Sequence, residues 1–247
     1  MESFKYIVRG NKPMDVAVMY SGGKDSTLAI EYAMNRGWNI KYLLSVKPTR
    51  KDCYLFHYAT VEHTKQLAEI LGFKHILIGC DVADAEKEAE LIREVVEKNP
   101  VEALVLGGVG LQETQLKSLQ TELHPFGVEV FASHAGMEHD QLVEDMIARG
   151  YDIRITQVAV EGLGESWLGE KLTKENFDRL KRLSQRHGFH VGFEGGHADT
   201  LVVDGPIFKK RLELVDVKKI IDDEYCGHIE VGKVEIVDKS IVKKYSQ

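Results

Sequence analysis

The chain has 247 residues, 43% of them hydrophobic, and a formal net charge of −7 at pH 7. That length allows one large or two small domains with a sizeable core. The acidic balance disfavours a nucleic-acid partner, because such proteins usually carry a basic patch that neutralises phosphates.

Neither a membrane span nor a cysteine-based metal motif is visible. No apolar run approaches the roughly 20 residues that cross a bilayer, and the N-terminus lacks the features of a signal peptide. Cys53, Cys80 and Cys226 are far apart, which predicts neither a disulfide framework nor a zinc site. We therefore expect a cytoplasmic protein with no membrane partner. A homo-oligomer is compatible with the sequence, which leaves the oligomeric state open.

The first predicted strand, 16–20, leads through the run Ser-Gly-Gly-Lys-Asp-Ser at 21–26 into a helix that begins near Thr27. Adjacent glycines let the backbone approach a ligand closely, and the free amides of a first helical turn favour an anion in the same space. We expect this loop to bind a phosphate chain.

Two familiar phosphate loops do not fit this run. A Walker A loop needs a glycine where Val18 stands and a hydroxyl residue directly after Lys24, where the chain has Asp25. The Rossmann pattern lacks its third glycine. The run resembles instead the pyrophosphate loop of the N-type ATP pyrophosphatases, which split ATP between its α and β phosphates. A plain turn before a capped helix is the structural alternative, but it requires neither both glycines nor the lysine.

Strand-like and helix-like segments then alternate along the first half of the chain. In order they are a strand at 40–46, a helix at 59–71, a strand at 75–78, a helix from Asp84 to Asn99 and strands at 101–106 and 128–131. This alternation predicts an α/β fold with a doubly wound parallel sheet. Strand 101–106 runs into Gly107 and Gly108, and ligands of such sheets lie beyond the carboxyl ends of the strands. We expect this second glycine cluster to border the nucleotide.

The pattern changes near residue 134. The predicted elements there are a helix at 138–149, a strand at 153–160, an irregular stretch at 161–169, a helix capped by Thr173, and strands at 200–203, 208–215 and 231–237. We predict a nucleotide-binding domain over 1–133 and a smaller α+β substrate-recognition domain over 134–247.

Two motifs of the second half accompany the glycine loop. Residues 162–169 contain Gly-Leu and then Ser-Trp-Leu-Gly, and residues 194–209 contain Glu-Gly-Gly followed by Thr, Asp, Pro, Phe and Lys. Their order and spacing over about 14–214 resemble the diphthine-ammonia ligase family, N-type ATP pyrophosphatases that complete diphthamide on translation elongation factor 2. The resemblance implies an adenine nucleotide alpha hydrolase-like, HUP-type fold. It also implies ATP-dependent amidation of diphthine by ammonium, through an acyl-adenylate, with release of AMP and pyrophosphate.

The resemblance further implies ATP and Mg²⁺ as cofactors and elongation factor 2, in its diphthine form, as partner. The residues expected to bind ATP are Tyr20, Ser21, Gly22, Gly23, Lys24, Asp25, Ser26, Val46, His57, Gly107 and Gly108. The residues expected to act in catalysis are Lys24, Asp25, Glu194, His197 and Asp199, with Asp25 as the Mg²⁺ contact. The substrate is expected at Glu165, Trp167, Gly195, Gly196 and Thr200, because an aromatic face and carboxylates suit the trimethylammonium group of diphthine.

The chain departs from the family pattern where substrate chemistry is expected. Phe193, His197 and Ala198 replace a glycine, an acidic residue and an aromatic residue, while Asp199 keeps a carboxylate where the family has Glu. After the second glycine cluster, Gln115 survives but its neighbouring arginines do not. We therefore expect ATP binding and cleavage to be retained, whereas these departures leave the acyl substrate open. A pyrophosphatase acting on another carboxylate or on tRNA, with Cys80 as the reactive thiol, and a regulator that binds AMP or ATP without turnover are the alternatives.

Overall fold

The computed structural model describes residues 13–48, 61–81, 84–108, 113–134 and 136–239. Within these residues the first half forms a five-stranded parallel sheet in the order β3-β2-β1-β4-β5. Its strands are β1 Asp15–Met19, β2 Asn39–Pro48, β3 His75–Cys80, β4 Ala103–Leu106 and β5 Glu129–Ala132. The predicted α/β fold with a parallel sheet is confirmed.

Helices cover both faces of this sheet, as a buried parallel sheet requires. They are α1 Lys24–Asn35, α2 Thr64–Leu71, α3 Ala85–Lys98 and α4 Glu113–Leu123. A short 3₁₀ turn, Val61–His63, precedes α2, and residues 59–60 of the predicted helix lie outside the described residues. The Asp84 carboxylate accepts hydrogen bonds from the amides of Glu86 and Lys87, which confirms the predicted cap of α3.

The second half forms a four-stranded antiparallel sheet in the order β7-β6-β9-β8. Its elements are α5 His139–Ala148, β6 Asp152–Ala159, α6 Lys174–His187, β7 Ala198–Asp204, β8 Arg211–Ile221 and β9 Cys226–Val237. Thr173 caps α6 as predicted. Strand β8 begins three residues later than predicted and continues to Ile221, whereas β9 begins five residues earlier than predicted, at Cys226; the added residues carry no regular apolar alternation.

The two halves share one hydrophobic core. Helices α1 and α2 contribute Ile30 and Leu67 to it, and the second half contributes Leu201 from β7. A backbone hydrogen bond of 2.8 Å from the amide of Val202 to the carbonyl of Gly22 joins β7 to the loop after β1. This junction places the glycine loop between the two sheets.

Candidate active site

The glycine loop connects β1 to α1 and has the backbone that its sequence demands. Gly22 has φ +82°, and a Cβ there would lie 2.9 Å from Leu201 Cδ1, so a side chain would meet both strain and a clash. Gly23 is extended and forms the N-cap of α1, which therefore begins at Lys24, three residues before the predicted start. The amides of the first turn of α1 thus lie at the loop.

Hydroxyl groups fix the loop from inside. Ser26 Oγ donates to the carbonyl of Gly23 at 3.0 Å, and its oxygen lies 3.2 Å from Ser21 Oγ. The amide of Lys24 donates to Thr200 Oγ1 at 3.2 Å. Thr200, predicted to contact the substrate, therefore anchors the loop to β7.

The second glycine cluster packs against the first. A Cβ on Gly107 would lie only 2.4 Å from the backbone carbon of Asp25, so the absence of a side chain lets the end of β4 touch the first turn of α1. Gly108 follows with φ +68°. The expected proximity of the two clusters is present in the described residues.

A cleft opens beyond the carboxyl ends of β1, β2 and β4. It is lined by Met19, Tyr20, Ser21, Gly23, Asp25, Ser26, Leu44, Val46, Val61, Glu88, Leu106, Gly107 and Gln115. Seven of the predicted ATP-binding residues belong to this lining: Tyr20, Ser21, Gly23, Asp25, Ser26, Val46 and Gly107. Of the other four, Gly22, Lys24 and Gly108 do not line the cleft, and His57 lies outside the described residues.

Glu88 is a cleft residue that sequence reasoning missed. It is only 1% exposed, and Gln115 Nε2 donates to its Oε1 at 2.7 Å, while its Oε2 has no hydrogen-bond partner among the described residues. Burial raises the pKa of the Glu88 carboxyl to about 7, against the lowering effect of the bond from Gln115. Its position one turn before Ile92, on the apolar stripe of α3, was the available signal.

Lys24 and Asp25 form an ion pair, with Lys24 Nζ 2.7 Å from Asp25 Oδ2. The Lys24 side chain is buried and its ammonium lies 6.0 Å from the centre of the Phe193 ring. Burial opposes ionisation of Asp25, but the Lys24 ammonium outweighs it and holds the pKa of that carboxyl below its ordinary value. Asp25 is therefore a carboxylate that faces the cleft.

Histidines surround this ion pair, and sequence reasoning missed three of them. His134 is buried, with Nε2 4.0 Å from Asp25 Oδ1 and Nδ1 2.6 Å from Ser133 Oγ. His139, at the start of α5, has Nδ1 3.0 Å from Glu194 Oε1, and its ring meets that of His190 edge to face at 5.5 Å. Burial lowers the pKa of the His134 and His190 imidazoles, which favours their neutral forms.

A backbone turn at 193–196 brings Glu194 to this cluster. Phe193, Gly195 and Gly196 all have positive φ, so the backbone reverses tightly around Glu194. Asp25, His139 and Glu194 each offer a ligand atom, and these atoms lie within 4.8 Å of one another. Three predicted catalytic residues, Lys24, Asp25 and Glu194, are therefore close together.

The other two predicted catalytic residues are His197, which lies beside His190, and Asp199, which lies on β7. His197 Nδ1 accepts a 3.4 Å hydrogen bond from the amide of His190, and its ring lies 6.2 Å from that of Phe189. Asp199 is next to Thr200 on β7, and adjacent side chains of a strand point to opposite faces, which directs Asp199 away from the Lys24 side. Their catalytic roles stay predictions.

The structure does not show Trp167 as an open wall of a cation pocket. Its side chain is buried in the core, and the guanidinium of Arg179 on α6 lies 5.1 Å from the ring centre. The carbonyl of Glu165 accepts a 3.0 Å hydrogen bond from Lys219 on β8. Both residues therefore contact α6 and β8 rather than the ion pair, and sequence reasoning did not foresee the covering arginine.

No helix among the described residues has both the length and the apolar character that a membrane crossing requires.

Comparison with known proteins identifies the relatives of this chain. Residues 14–130 match the diphthamide synthase N-terminal domain and residues 138–237 match the diphthamide synthase C-terminal domain. The alignment with a human protein named diphthine–ammonia ligase has 255 positions including gaps, with 26% identity, and it covers 94% of each chain. A Schizosaccharomyces pombe protein of that name is 27% identical over 227 residues. This alignment covers 85% of the present chain but only 37% of the yeast protein. These names confirm the predicted enzyme class, a ligase.

Two further similarities are narrower. An uncharacterised protein of Methanocaldococcus jannaschii is 40% identical over 86 residues, 34% of this chain and 38% of that one. Among solved structures, a class III photolyase from Agrobacterium tumefaciens aligns over 51% of this chain and 27% of its own, with 15% identity and a TM-score of 0.34. That structural similarity is too weak to bear on the fold.

Proposed function

The chain belongs to the diphthamide synthase family, and we propose that it amidates the carboxylate of diphthine on translation elongation factor 2, using ATP and ammonium. The observation that carries this proposal is the meeting of the glycine loop with the turn that presents Glu194. A phosphate-binding loop and a polar substrate-side turn thereby share one site. The same proposal places the reaction in the cytoplasm, where translation factors act.

The chemistry requires an activated acyl group, because a free carboxylate is a poor acyl donor. Attack of the diphthine carboxylate on the α phosphate of ATP gives an acyl-adenylate and releases pyrophosphate. Ammonia then attacks the acyl carbon and AMP leaves. We expect the loop amides and the Ser21 and Ser26 hydroxyls to hold the β and γ phosphates, each donor stabilising the transition state by about 2 to 4 kcal/mol.

Lys24 and Asp25 have different electrostatic roles at the loop. The Lys24 ammonium, buried beside the loop, would neutralise the charge that develops on the departing pyrophosphate. The ionised Asp25 carboxylate lines the cleft and suits Mg²⁺, which prefers one or two carboxylates together with phosphate oxygens. When bound, the ion supplies further charge neutralisation at the phosphates.

We assign substrate recognition to residues 134–247, with Glu194 nearest to the reacting groups. Its carboxylate is 20% exposed beside His139, which leaves it accessible to a cation. Glu165, Trp167, Gly195 and Gly196 remain candidate contacts of the protein substrate, and His197 and Asp199 remain candidate catalytic residues. Cys80 is buried, which disfavours the alternative of a tRNA-modifying enzyme with a reactive thiol.

The test is product analysis with labelled ATP. The purified protein is incubated with ammonium and diphthine-bearing elongation factor 2, and AMP, pyrophosphate and the amidated residue are measured. We expect all three in equal amounts. Tight ATP binding with no AMP would favour the non-catalytic regulator, and AMP formed only when tRNA is added would favour the modifying enzyme.

A further inference from the structure

We propose that Asp25, His139 and Glu194 form a binding site for a first-row transition metal ion of the zinc class. The three residues come from separate elements: the first turn of α1, the start of α5 and the turn before β7. Their ligand atoms lie within 4.8 Å of one another, and His139 Nδ1 is 3.0 Å from Glu194 Oε1. Such convergence of elements distant in sequence is how protein metal sites are assembled.

The distances suit a site that closes when the ion binds. Zinc–nitrogen and zinc–oxygen bonds are about 2.0 to 2.2 Å, so ligand atoms around one tetrahedral ion lie roughly 3.4 Å apart. The His139–Glu194 pair already has this spacing. The ligand atom of Asp25 lies within 4.8 Å of the other two, so a side-chain adjustment of no more than roughly 1.5 Å would complete three protein ligands.

Charge points to a cation at this position. Asp25 and Glu194 bring two carboxylates together, and Lys24 supplies one opposing charge to Asp25. A divalent ion between the carboxylates would remove their repulsion.

The chemistry of the donors favours a transition metal over Mg²⁺. Mg²⁺ takes oxygen ligands, whereas imidazole suits zinc and its neighbours. A second imidazole lies near Asp25. The buried Nε2 of His134 is 4.0 Å from Asp25 Oδ1 and has no hydrogen-bond partner among the described residues. Its Nδ1 is fixed by Ser133 Oγ at 2.6 Å, the arrangement that orients a metal-ligating imidazole.

The proposed ion would connect the two halves of the active site. His134 and His139 follow β5 in the chain, and they lie beside Asp25 and Glu194 respectively. The site would connect the turn before β7 to the glycine loop, so the bound ion would fix the position of one half of the active site relative to the other.

The test measures metal binding without nucleotide. The full-length protein is stripped with a chelator and titrated with Zn²⁺ by calorimetry, and Co²⁺ is used as a spectroscopic probe of imidazole ligation. We expect one equivalent of Zn²⁺, a Co²⁺ spectrum of low coordination number, and at least a tenfold loss of Zn²⁺ affinity in His139→Gln and in Glu194→Gln.

A matched control is available in His228→Gln. His228 also lies beside a carboxylate, with Nδ1 3.8 Å from Asp222 Oδ2, and it belongs to β9 away from the loop. This variant should bind Zn²⁺ like the unmodified protein. Absence of Zn²⁺ binding, equal affinity for Mg²⁺, or unchanged affinity in both site variants would overturn the proposal, while thermal melts confirm that each variant is folded. Because ATP is absent, failure here leaves the proposed ligase reaction standing.

Discussion

The amide of Val202 donates a 2.8 Å hydrogen bond to the carbonyl oxygen of Gly22, so a strand of the second sheet holds the glycine loop of the first. The side chain of the preceding residue, Leu201, fills the space where a Cβ on Gly22 would stand. The loop is therefore shaped by both halves of the chain. Substitutions at this contact should change ATP binding and stability together.

Gly22→Ala is expected to weaken ATP binding and to destabilise the protein by about 2 to 4 kcal/mol, from left-handed backbone strain together with the clash against Leu201. Gly37→Ala is the matched control, since Gly37 also has positive φ, at +66°, but a Cβ there has no atom within 4 Å. It should cost only about 1 to 2 kcal/mol and leave ATP affinity unchanged. Chemical denaturation and equilibrium ATP binding measure both effects, and equal losses in the two variants would contradict the steric argument.

Lys24→Met should lower the rate of AMP formation by roughly a hundredfold to a thousandfold, because a preorganised charge at the pyrophosphate is lost. Since Asp25 then loses its ion-pair partner, folding is checked in parallel by circular dichroism. Lys98→Met serves as control: Lys98 is largely exposed on α3 and should leave the rate unchanged. A folded Lys24→Met enzyme with normal turnover would remove Lys24 from the mechanism.

The sequence predicted the elements that carry local signals and missed those that depend on tertiary contacts. The loop at 21–26 was identifiable because glycines, a lysine and serines between a buried strand and a helix have few other uses. Glu194 was identifiable from the glycine pair beside it. His134 and His139 were not, because a histidine reveals its role only through its neighbours, and theirs lie far away in sequence.

Trp167 shows a different limit of a sequence motif. Its motif implied a substrate wall but also fits a core residue, and the sequence does not reveal that Trp167 is buried with Arg179 against its ring. Its contact with the substrate stays a prediction. Glu88 was missed although it lies on the apolar stripe of α3, because a single charged residue in such a stripe does not reveal what it faces.

Glu88→Gln should change how stability depends on pH. The pKa of Glu88 in the folded protein, about 7, is above its ordinary value of 4.5, so the folded state holds the proton more tightly. Glu88 therefore contributes stability that is fully present below about pH 4.5 and is lost as pH rises through 7, by up to about 3 kcal/mol. Glutamine keeps an acceptor for Gln115 and has no proton to lose.

The measurement for Glu88 is the free energy of unfolding of both proteins between pH 5 and 8. The unmodified protein should lose stability relative to Glu88→Gln across this range. Glu90→Gln, an exposed change on the same helix, should follow the unmodified protein. A constant difference between Glu88→Gln and the unmodified protein over the whole range would show that Glu88 does not titrate there.

Thr200→Val tests whether β7 holds the start of α1. The hydroxyl of Thr200 accepts the 3.2 Å hydrogen bond from the amide of Lys24, and both residues are buried. Valine keeps the shape but removes the acceptor, so the amide loses its partner, at a cost of about 1 to 3 kcal/mol. We expect a corresponding fall in stability and a loss of ATP affinity, because the first turn of α1 is then held less firmly.

Thr156→Val is the matched control for this change. Thr156 is also a fully buried threonine in the second sheet, on β6, but its hydroxyl has no hydrogen-bond partner among the described residues. Replacing an unpaired buried hydroxyl by a methyl group should be neutral or stabilising. Thermal denaturation and ATP binding of the two variants, measured side by side, therefore isolate the bond to Lys24. If both substitutions had the same effect, the anchoring of the loop by β7 would rest on packing alone.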